Sequence, residues 1–302
     1  MRRLLPGLAR QLLLMAAITL AIFFLVRVVP GDVVDVLAAE GALDDEAVER
    51  LRGDLGLDRP WPEQFQRWVV RAVAGDLGLS LRFETPVSGM IAHALPHTLG
   101  LAAASLAIGI ALGVGLALLA MLRPRSPAAW LVEAVNVWSI AVPTFCVGVA
   151  AILVFSVWLG WLPSLRQTLM PALIIGVDIA GQICKPLYED LKEAMAAPHV
   201  RTARAKGLGA ARILLRHVLP GSLAVVVALT GMILAGLIGG TITMEVLFGL
   251  PGIGTLALDA IKGRDHPLVQ AVVLVLALGV VLANGLTGLV QRLIDPRPRH
   301  LA

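Results

Sequence analysis

The stretch at residues 201–220, RTARAKGLGAARILLRHVLP, decides the class of this protein. Its basic side chains are Arg201, Arg204, Lys206, Arg212 and Arg216. The stretch lies between two long apolar runs, at roughly 169–187 and 221–243. A basic segment between two apolar runs is typical of a membrane protein, since loops that stay in the cytoplasm carry an excess of Lys and Arg. We interpret it as a surface on which a soluble partner docks.

The composition of the whole chain supports a membrane protein. The 302 residues are 58% hydrophobic and 15% charged, and the mean hydropathy is +0.84. Soluble domains are about 45–50% apolar and about 25% charged. This excess predicts a polytopic membrane protein. The formal charge of +4 is only weak evidence for a nucleic-acid partner, and we expect none. Cys146 and Cys184 lack metal-ligand spacing, so we expect neither a disulfide framework nor a metal site.

Six apolar runs are long enough to cross a bilayer as helices. They lie at about 11–29, 98–122, 130–158, 169–187, 221–243 and 268–290. The third run is interrupted at Pro143, which predicts either one kinked helix or two elements. No small-residue cleavage site follows the first run, so we expect it to be retained as a span rather than removed as a signal peptide.

The distribution of Lys and Arg predicts the orientation of the chain. Basic residues precede the first run, follow the second and fourth runs, and follow the last: Arg2, Arg3, Arg10, Arg123, Arg125, Lys185 to Arg216, Arg292, Arg297 and Arg299. All these positions fall on one side, which the positive-inside rule assigns to the cytoplasm. We therefore predict a multi-pass membrane protein with both termini in the cytoplasm.

The segment at 31–96 is too polar for lipid and lies on the opposite side of the membrane. Its acidic start at Asp44 predicts a helix, and Gly56 to Pro60 predict a turn. An amphipathic helix is expected from Trp61 to Ala74, ended by Gly75 to Gly78. The segment either caps the protein structurally or receives an external partner.

The sequence contains no motif of an enzyme, and we predict no catalytic residue. A GxxxxGK[ST] phosphate loop is absent, and the glycine-rich stretch at 249–254 indicates a turn rather than a dinucleotide site. His93 and His97 have i,i+4 spacing, which suits loop-edge polar residues better than a metal pair. The sequence therefore offers no evident site for ATP, and this chain is expected to bind no cofactor.

Two further features lie within the apolar runs. Asp178 is an acid at membrane depth, where an ionisable group is costly and faces a cavity or a polar partner such as Gln182. GxxxG spacing occurs at Gly109 and Gly113 and again at 236 and 240, which predicts close helix packing within the chain or a dimer face.

The basic stretch resembles the EAA-type loop of ABC importer permeases. Gly207 is followed by nine residues and then by His217-Val218-Leu219-Pro220, and Thr202 to Leu208 is typical of the peptide/nickel branch. Other segments match in the same order: Pro30-Gly31-Asp32, Gly56-Leu57-Asp58-Arg59-Pro60, Gly75-Asp76-Leu77-Gly78-Leu79-Ser80, Pro86-Val87, Leu159-Gly160-Trp161-Leu162-Pro163, Phe248 with Pro251-Gly252-Ile253-Gly254, and Arg264-Asp265-His266-Pro267. The resemblance covers nearly the whole chain.

The resemblance implies an all-α polytopic membrane protein with the ABC type I importer permease fold. Its parts would be residues 1–30 (cytoplasmic start and first span), 31–96 (extracytoplasmic), 97–292 (a five-helix core with a cytoplasmic coupling loop at 188–220) and 293–302 (cytoplasmic tail). The residues implied to contact the ATPase are Arg201, Thr202, Ala203, Arg204, Ala205, Lys206, Gly207, Leu208, His217, Leu219 and Pro220. Asp178 and Gln182 are candidates for the translocation pathway.

The resemblance implies a location in the bacterial inner membrane, in contact with membrane lipid. The implied assembly is a heterodimer with a second, homologous permease subunit. Two cytoplasmic ATPase subunits would drive it, and an extracytoplasmic substrate-binding protein would deliver short peptides. Nickel or a metal–chelator complex is the alternative substrate. An ion-coupled secondary transporter using Asp178 is the alternative class, and an intramembrane enzyme would need a reactive dyad that the sequence lacks.

The sequence departs from the family pattern at two places near the loop. Arg201 stands where the general EAA motif has an acid. Lys185 and Tyr188, with Pro186 between them, stand where the peptide/nickel branch often has two arginines. These departures leave open whether the helix before the loop continues through Pro186 and whether Lys185 forms a salt bridge.

Overall fold

The computed structural model describes residues 5–28, 31, 33–39, 41 and 44–294. Arg2, Arg3, Pro30, Asp32, Arg297 and Arg299 lie outside the described residues. Within the described ranges the regular structure is helical, apart from an isolated bridge between Leu79 and Pro86. The helices are α1 (Leu5–Val28), α2 (Val33–Ala39), α3 (Asp45–Leu55), α4 (Trp61–Val73), α5 (Val87–Leu122), α6 (Ala128–Ala141), α7 (Thr144–Ala151, continued by a π-helix to Trp158), α8 (Leu169–Ala194), α9 (Pro198–Ala205), α10 (Ala210–Ile213, continued by a π-helix to Val218), α11 (Leu219–Gly240), α12 (Ile242–Phe248), α13 (Ile253–Lys262) and α14 (His266–Ile294).

The apolar helices agree with a multi-pass membrane protein. In the described part of the chain, four helices are long and apolar enough to span a membrane, in α5, α8, α10–α11 and α14. Two bent pairs, α6 with α7 and α12 with α13, raise this number to six. The predicted runs correspond to the four helices, the first bent pair and α1, whose apolar part is the shorter stretch Leu13–Val28. The pair α12 and α13 has no counterpart in the prediction.

Pro143 divides the third predicted run into two elements rather than kinking one helix. The axes of α6 and the Thr144–Trp158 helix differ by 99°. Val142 is extended at φ −111° and ψ 113°, as expected for a residue before proline, and Pro143 starts α7 without needing a backbone donor. Of the two alternatives, the kinked helix is therefore wrong.

The two helices predicted between residues 44 and 74 occur where the sequence places them. The Ala47 N–H donates to Asp44 Oδ1 at 2.8 Å and caps α3, which Gly56 ends in the left-handed conformation at φ 64°. α4 follows, and Gly75 ends it at φ 83°. The helix α5 begins at Val87, before the predicted start of the second span at 98, so its first turns precede the predicted span. At 1.5 Å per residue its 36 residues extend about 54 Å, more than a bilayer core needs.

The chain divides into two compact units. Unit 1 comprises Met1–Thr98 and Pro251–Val281, and its buried core combines the start of α5 with α13 and the first half of α14. Two of the motifs meet inside this unit, since the Ser80 hydroxyl donates to the buried carboxylate of Asp265. The Thr98 hydroxyl accepts the Ile253 N–H at 2.8 Å and caps the start of α13.

Unit 2 comprises Leu99–Leu250 and Leu282–Ala302, and α8 is its central helix. A Cβ added at Gly109 would lie 2.4 Å from Ile179, and one at Gly113 would lie 3.0 Å from Ile183. The first GxxxG pair therefore lets α5 pack closely on α8 within the chain. Gly181 provides the same close approach between α8 and α6, where an added Cβ would lie 2.5 Å from a backbone oxygen.

Candidate functional site: the basic loop and the Asp178 cavity

One face of the helix α9 packs against the rest of the protein, and the opposite face is exposed. Val200 is fully buried, and Ala203 packs against the same cluster of apolar side chains. We name this cluster the anchor cluster; its buried members are Ala117 on α5, Leu187 and Leu191 on α8, Val200 on α9, Ile213 on α10, Leu214 and Val218 on the π-helix, and Val226 on α11. Arg201 and Arg204 lie on the exposed face of α9. The apolar face thus fixes the helix, and the basic face is left open.

Gly207 ends α9 with a complete Schellman motif. Its φ of +80° is left-handed, and its N–H donates to the Arg204 carbonyl at 2.9 Å. The Leu208 N–H donates to the Ala203 carbonyl at 3.3 Å, and both side chains pack against the anchor cluster. Glycine takes a left-handed backbone without the Cβ penalty of other residues. This geometry explains why the basic stretch needs glycine at 207.

The second half of the basic stretch joins the long helix that follows. Pro220 has no N–H, and the preceding residues 214–218 form a π-helix, in which the Leu219 N–H donates to the Leu214 carbonyl. Such π turns are common where proline interrupts the helical hydrogen bonding. His217 is exposed and Leu219 is half-buried against the anchor cluster.

The basic side chains of the stretch form an open, positively charged surface. All of them are exposed: Arg201, Arg204, Lys206, Arg212 and Arg216. None of the five forms an ion pair with another residue that the structure describes. Thr202, Ala205 and Gly207 are also exposed, whereas Ala203 and Leu208 are half-buried. The predicted contact residues therefore lie together on one loop, and most of them are accessible.

The approach to the loop remains helical despite its unusual residues. α8 continues through Pro186 to Ala194, so the proline neither ends nor divides the helix. Lys185 Nζ donates to the carboxylate of Glu133 on α6 at 2.8 Å, and Tyr188 packs between two apolar clusters. The ion pair joins α8 to α6 at the position where the family pattern has an arginine.

A second candidate region surrounds Asp178 in the middle of α8. Gln182 Nε2 donates to Asp178 Oδ2 at 2.9 Å, so the predicted polar partner is confirmed. Both side chains line a cavity of about 390 Å³ in unit 2. Thr144 on α7 and Met232 and Gly236 on α11 also line it. The arrangement places one carboxylate and one amide in a cavity that is otherwise mostly apolar.

The α11 side of this cavity is formed by residues that the sequence did not single out, apart from the GxxxG pair. Its lining residues there are Leu229, Met232, Ile233, Gly236, Leu237 and Gly240. Their three- and four-residue spacing places them on one helix face, which is the signal that could have found them. A Cβ at Gly236 or Gly240 would meet no described atom within 4 Å, so the second GxxxG pair makes no close packing within the described chain.

Comparison with known proteins agrees with this architecture. Residues 109–300 match the family described as binding-protein-dependent transport system inner membrane component, and residues 1–102 match the N-terminal family of such membrane components. A chain of the MetNI methionine ABC transporter in an inward-facing conformation matches with a TM-score of 0.57 and 18% identity, over 68% of this chain and 96% of that chain. At this identity the likeness concerns the fold.

Curated relatives match over nearly their full length. A Brucella ovis protein provisionally named as a peptide permease is 35% identical, over 98% of this chain and 97% of the relative. The glutathione transport system permease GsiC of Escherichia coli O6:H1 is 33% identical, over 94% of each chain. The all-α polytopic fold, the motif order and these matches lead to one conclusion: the chain belongs to the binding-protein-dependent ABC transport inner membrane component family, in its peptide/nickel branch, and is a multi-pass transport component rather than an enzyme.

Proposed function

We propose that this chain forms half of the translocation pathway of an ATP-driven importer of short peptides. The relatives reported above are named for peptides and for glutathione, which is itself a short peptide. No group of three or more metal-ligating side chains occurs among the described residues, so nothing in them favours nickel over a peptide.

The observation that carries the proposal is the construction of α9. Its apolar face is fixed on the anchor cluster, and its basic face is accessible and unpaired within the described chain. Side chains of α8 and α11 form part of the anchor cluster. An exposed helix that packs on this cluster can therefore transmit the motion of a partner to α8 and α11. We infer that Arg201 to Leu208 contact the ATPase subunit, and that His217 and Leu219-Pro220 position the end of the loop.

The proposed partners rest on two features: the sequence has no phosphate loop, and α9 exposes a basic face. ATP and Mg²⁺ would be bound by two cytoplasmic ATPase subunits, and an extracytoplasmic binding protein would deliver the peptide. Closure of the ATPase pair would favour one access state of the pore, and the loaded receptor would bind the two states with different affinity. The positive-inside distribution supports placing both termini and the 188–220 loop in the cytoplasm.

The open side of the Asp178 cavity supports a two-subunit pore. Gly236 and Gly240 line the cavity without close packing from the described chain. Small residues allow two helices to approach closely in a membrane. We infer that a second, homologous permease subunit packs along this face, and that Asp178 and Gln182 then line the shared pathway.

The test is reconstitution of the chain with its candidate partners in vesicles. Peptide uptake should require ATP, both ATPase subunits and the receptor, and it should persist when an ionophore removes the ion gradients. Uptake by this chain alone, driven by an ion gradient, would instead identify a secondary transporter that uses Asp178.

A further inference from the structure

A second cavity, in unit 1, is lined by basic side chains. Its volume is about 300 Å³, and its walls come from the end of α1, from α4, from residues 76–81 and from the start of α14. We name it the basic pocket and define it by Arg27, Arg59, Arg67, Trp68, Arg71 and Gln270. Parts of three family-like segments also line it: Gly56, Leu57 and Arg59, residues 76–79, and His266 with Pro267. The proposed coupling and pathway use none of these residues.

Three of the four arginines are held in place by neighbours. The Arg27 guanidinium donates twice to Gln64 Oε1, at 3.1 and 3.0 Å. Arg59 and Arg67 both pair with the carboxylate of Glu63, at 2.8 and 3.0 Å. The hydrogen bond from Arg59 lowers the pKa of Glu63, so this carboxylate stays ionised between the two cations. These contacts orient the guanidinium groups in advance of any ligand.

The pocket nevertheless keeps an excess of positive charge. Arg71 is exposed and makes no ion pair with any residue that the structure describes. Asp76 is the acid in the lining, and its Oδ1 already accepts the Gly78 N–H at 2.9 Å. Four guanidinium groups thus face Asp76 and the neighbouring Glu63, which leaves two positive charges in excess.

Two buried donors of the pocket lack an acceptor in the described chain. Gln270 is 2% exposed, and its Nε2 has no hydrogen-bond partner there. The indole Nε1 of Trp68 is likewise buried and unpaired among the described residues. A buried donor without an acceptor is costly, and native proteins seldom leave one. Both donors therefore point to acceptor oxygens supplied from outside the chain.

We propose that the basic pocket binds a phosphate group, and that its source is the headgroup of an anionic phospholipid. Guanidinium forks and N–H donors match phosphate oxygens in geometry and charge. Arg27 lies in the last turn of α1, and Gln270 lies in the second turn of α14, so the site falls at the ends of two apolar helices, where headgroups lie. A free phosphate ion offers the same oxygens. The proposal is independent of the coupling and the substrate proposed above.

The experiment uses the full chain with its co-purifying subunits, reconstituted in phosphatidylcholine vesicles. The thermal unfolding midpoint is measured under three conditions: in phosphatidylcholine vesicles without additions, with phosphatidylglycerol added to the vesicles, and with inorganic phosphate in the buffer. Gln270→Met keeps the side-chain length and removes the unpaired donor, so its midpoint in phosphatidylcholine alone should equal or exceed that of wild type. Arg71→Gln removes the free cation, and Arg50→Gln on α3 is the matched control outside the pocket.

The wild-type midpoint should rise with phosphatidylglycerol, and Arg50→Gln should keep this rise. Gln270→Met and Arg71→Gln should each need about tenfold more anionic lipid for the same rise. If the midpoint rises with inorganic phosphate but not with phosphatidylglycerol, and both pocket variants reduce that rise, the ligand is a free phosphate. A wild-type midpoint that rises with neither ligand would overturn the proposal. It would also be overturned if Arg71→Gln and Arg50→Gln reduced the rise with phosphatidylglycerol equally, because the effect would then reflect surface charge alone.

Discussion

Gly207 offers the sharpest test of the proposed coupling helix, because a matched glycine lies two residues away. Gly207 has φ +80°, whereas Gly209 has φ −68° and ψ 151°, which any residue adopts. A Cβ at either position would meet no described atom within 4 Å. Replacing each by alanine therefore adds the same methyl group in open space. Only the change at 207 meets left-handed backbone strain, whereas the change at 209 carries the smaller cost of alanine at the N-cap of α10.

The expected magnitude follows from that strain. A left-handed alanine costs about 1–2 kcal/mol, and about 1.4 kcal/mol corresponds to a tenfold change in an equilibrium constant. If the backbone at 207 leaves the left-handed region, the Gly207 N–H and the Leu208 N–H lose their acceptors at the end of α9. Gly207→Ala should thus lower the equilibrium constant for forming the docking-competent helix end about tenfold. Gly207→Asn should cost less, since asparagine tolerates this conformation.

The assay is receptor-stimulated ATP hydrolysis and peptide uptake in proteoliposomes, with assembly checked by co-purification of the ATPase. Gly209→Ala should match wild type, and uptake should fall through Gly207→Asn and Gly207→Ala to Gly207→Trp. In the tryptophan variant, the bulk projects outward toward the partner and should uncouple hydrolysis from uptake. Equal uptake by fully assembled Gly207→Ala and Gly209→Ala would refute the role given to the helix end.

Three further substitutions test the surrounding structure. Gly181→Ala would place a Cβ 2.5 Å from a serine hydroxyl oxygen of α6 and should destabilise the protein by about 1–3 kcal/mol, measured as a lower unfolding midpoint; Gly115→Ala, with open space around it, should not. Asp178→Asn keeps the side-chain shape and should reduce peptide uptake while basal ATP hydrolysis persists; unchanged uptake would remove Asp178 from the pathway. Lys185→Met should cost only about 0.2–1 kcal/mol, because the pair with Glu133 is partly exposed, and exchanging the two charges should restore the midpoint.

The end of α9 could be predicted from the sequence because its determinants are local. A glycine after an alanine- and arginine-rich stretch predicts the end of a helix, and Leu208 directly after it completes the Schellman motif. The external helices were predictable for the same reason, since Asp44 and Gly56 act on adjacent residues. In each case the residues that form the motif are neighbours in the chain.

Other features depend on residues that are distant in sequence. Gln270 is an ordinary polar residue in an apolar helix, and it becomes notable only when α4 and the start of α14 share a cavity. The helix α5 begins at Val87, ahead of the apolar run at 98–122, because an apolar run marks only the part of a helix that can lie in lipid and not the more polar turns before it. α12 and α13 are too short to register as spans, and the glycines and proline at 249–252 conceal them.

Site-specific photo-crosslinking from α9 tests the central claim most directly. A crosslinker replacing the exposed Arg204 should capture the phosphate-loop ATPase in the assembled transporter, whereas one replacing the buried Val200 should not. One replacing Arg123, which lies in a different loop on the same predicted side, is the second control. Capture of the ATPase from Arg204 alone is the result predicted here. No capture from Arg204 in an assembled, ATP-hydrolysing complex, or equal capture from Arg123, would contradict the assignment of α9 as the coupling helix.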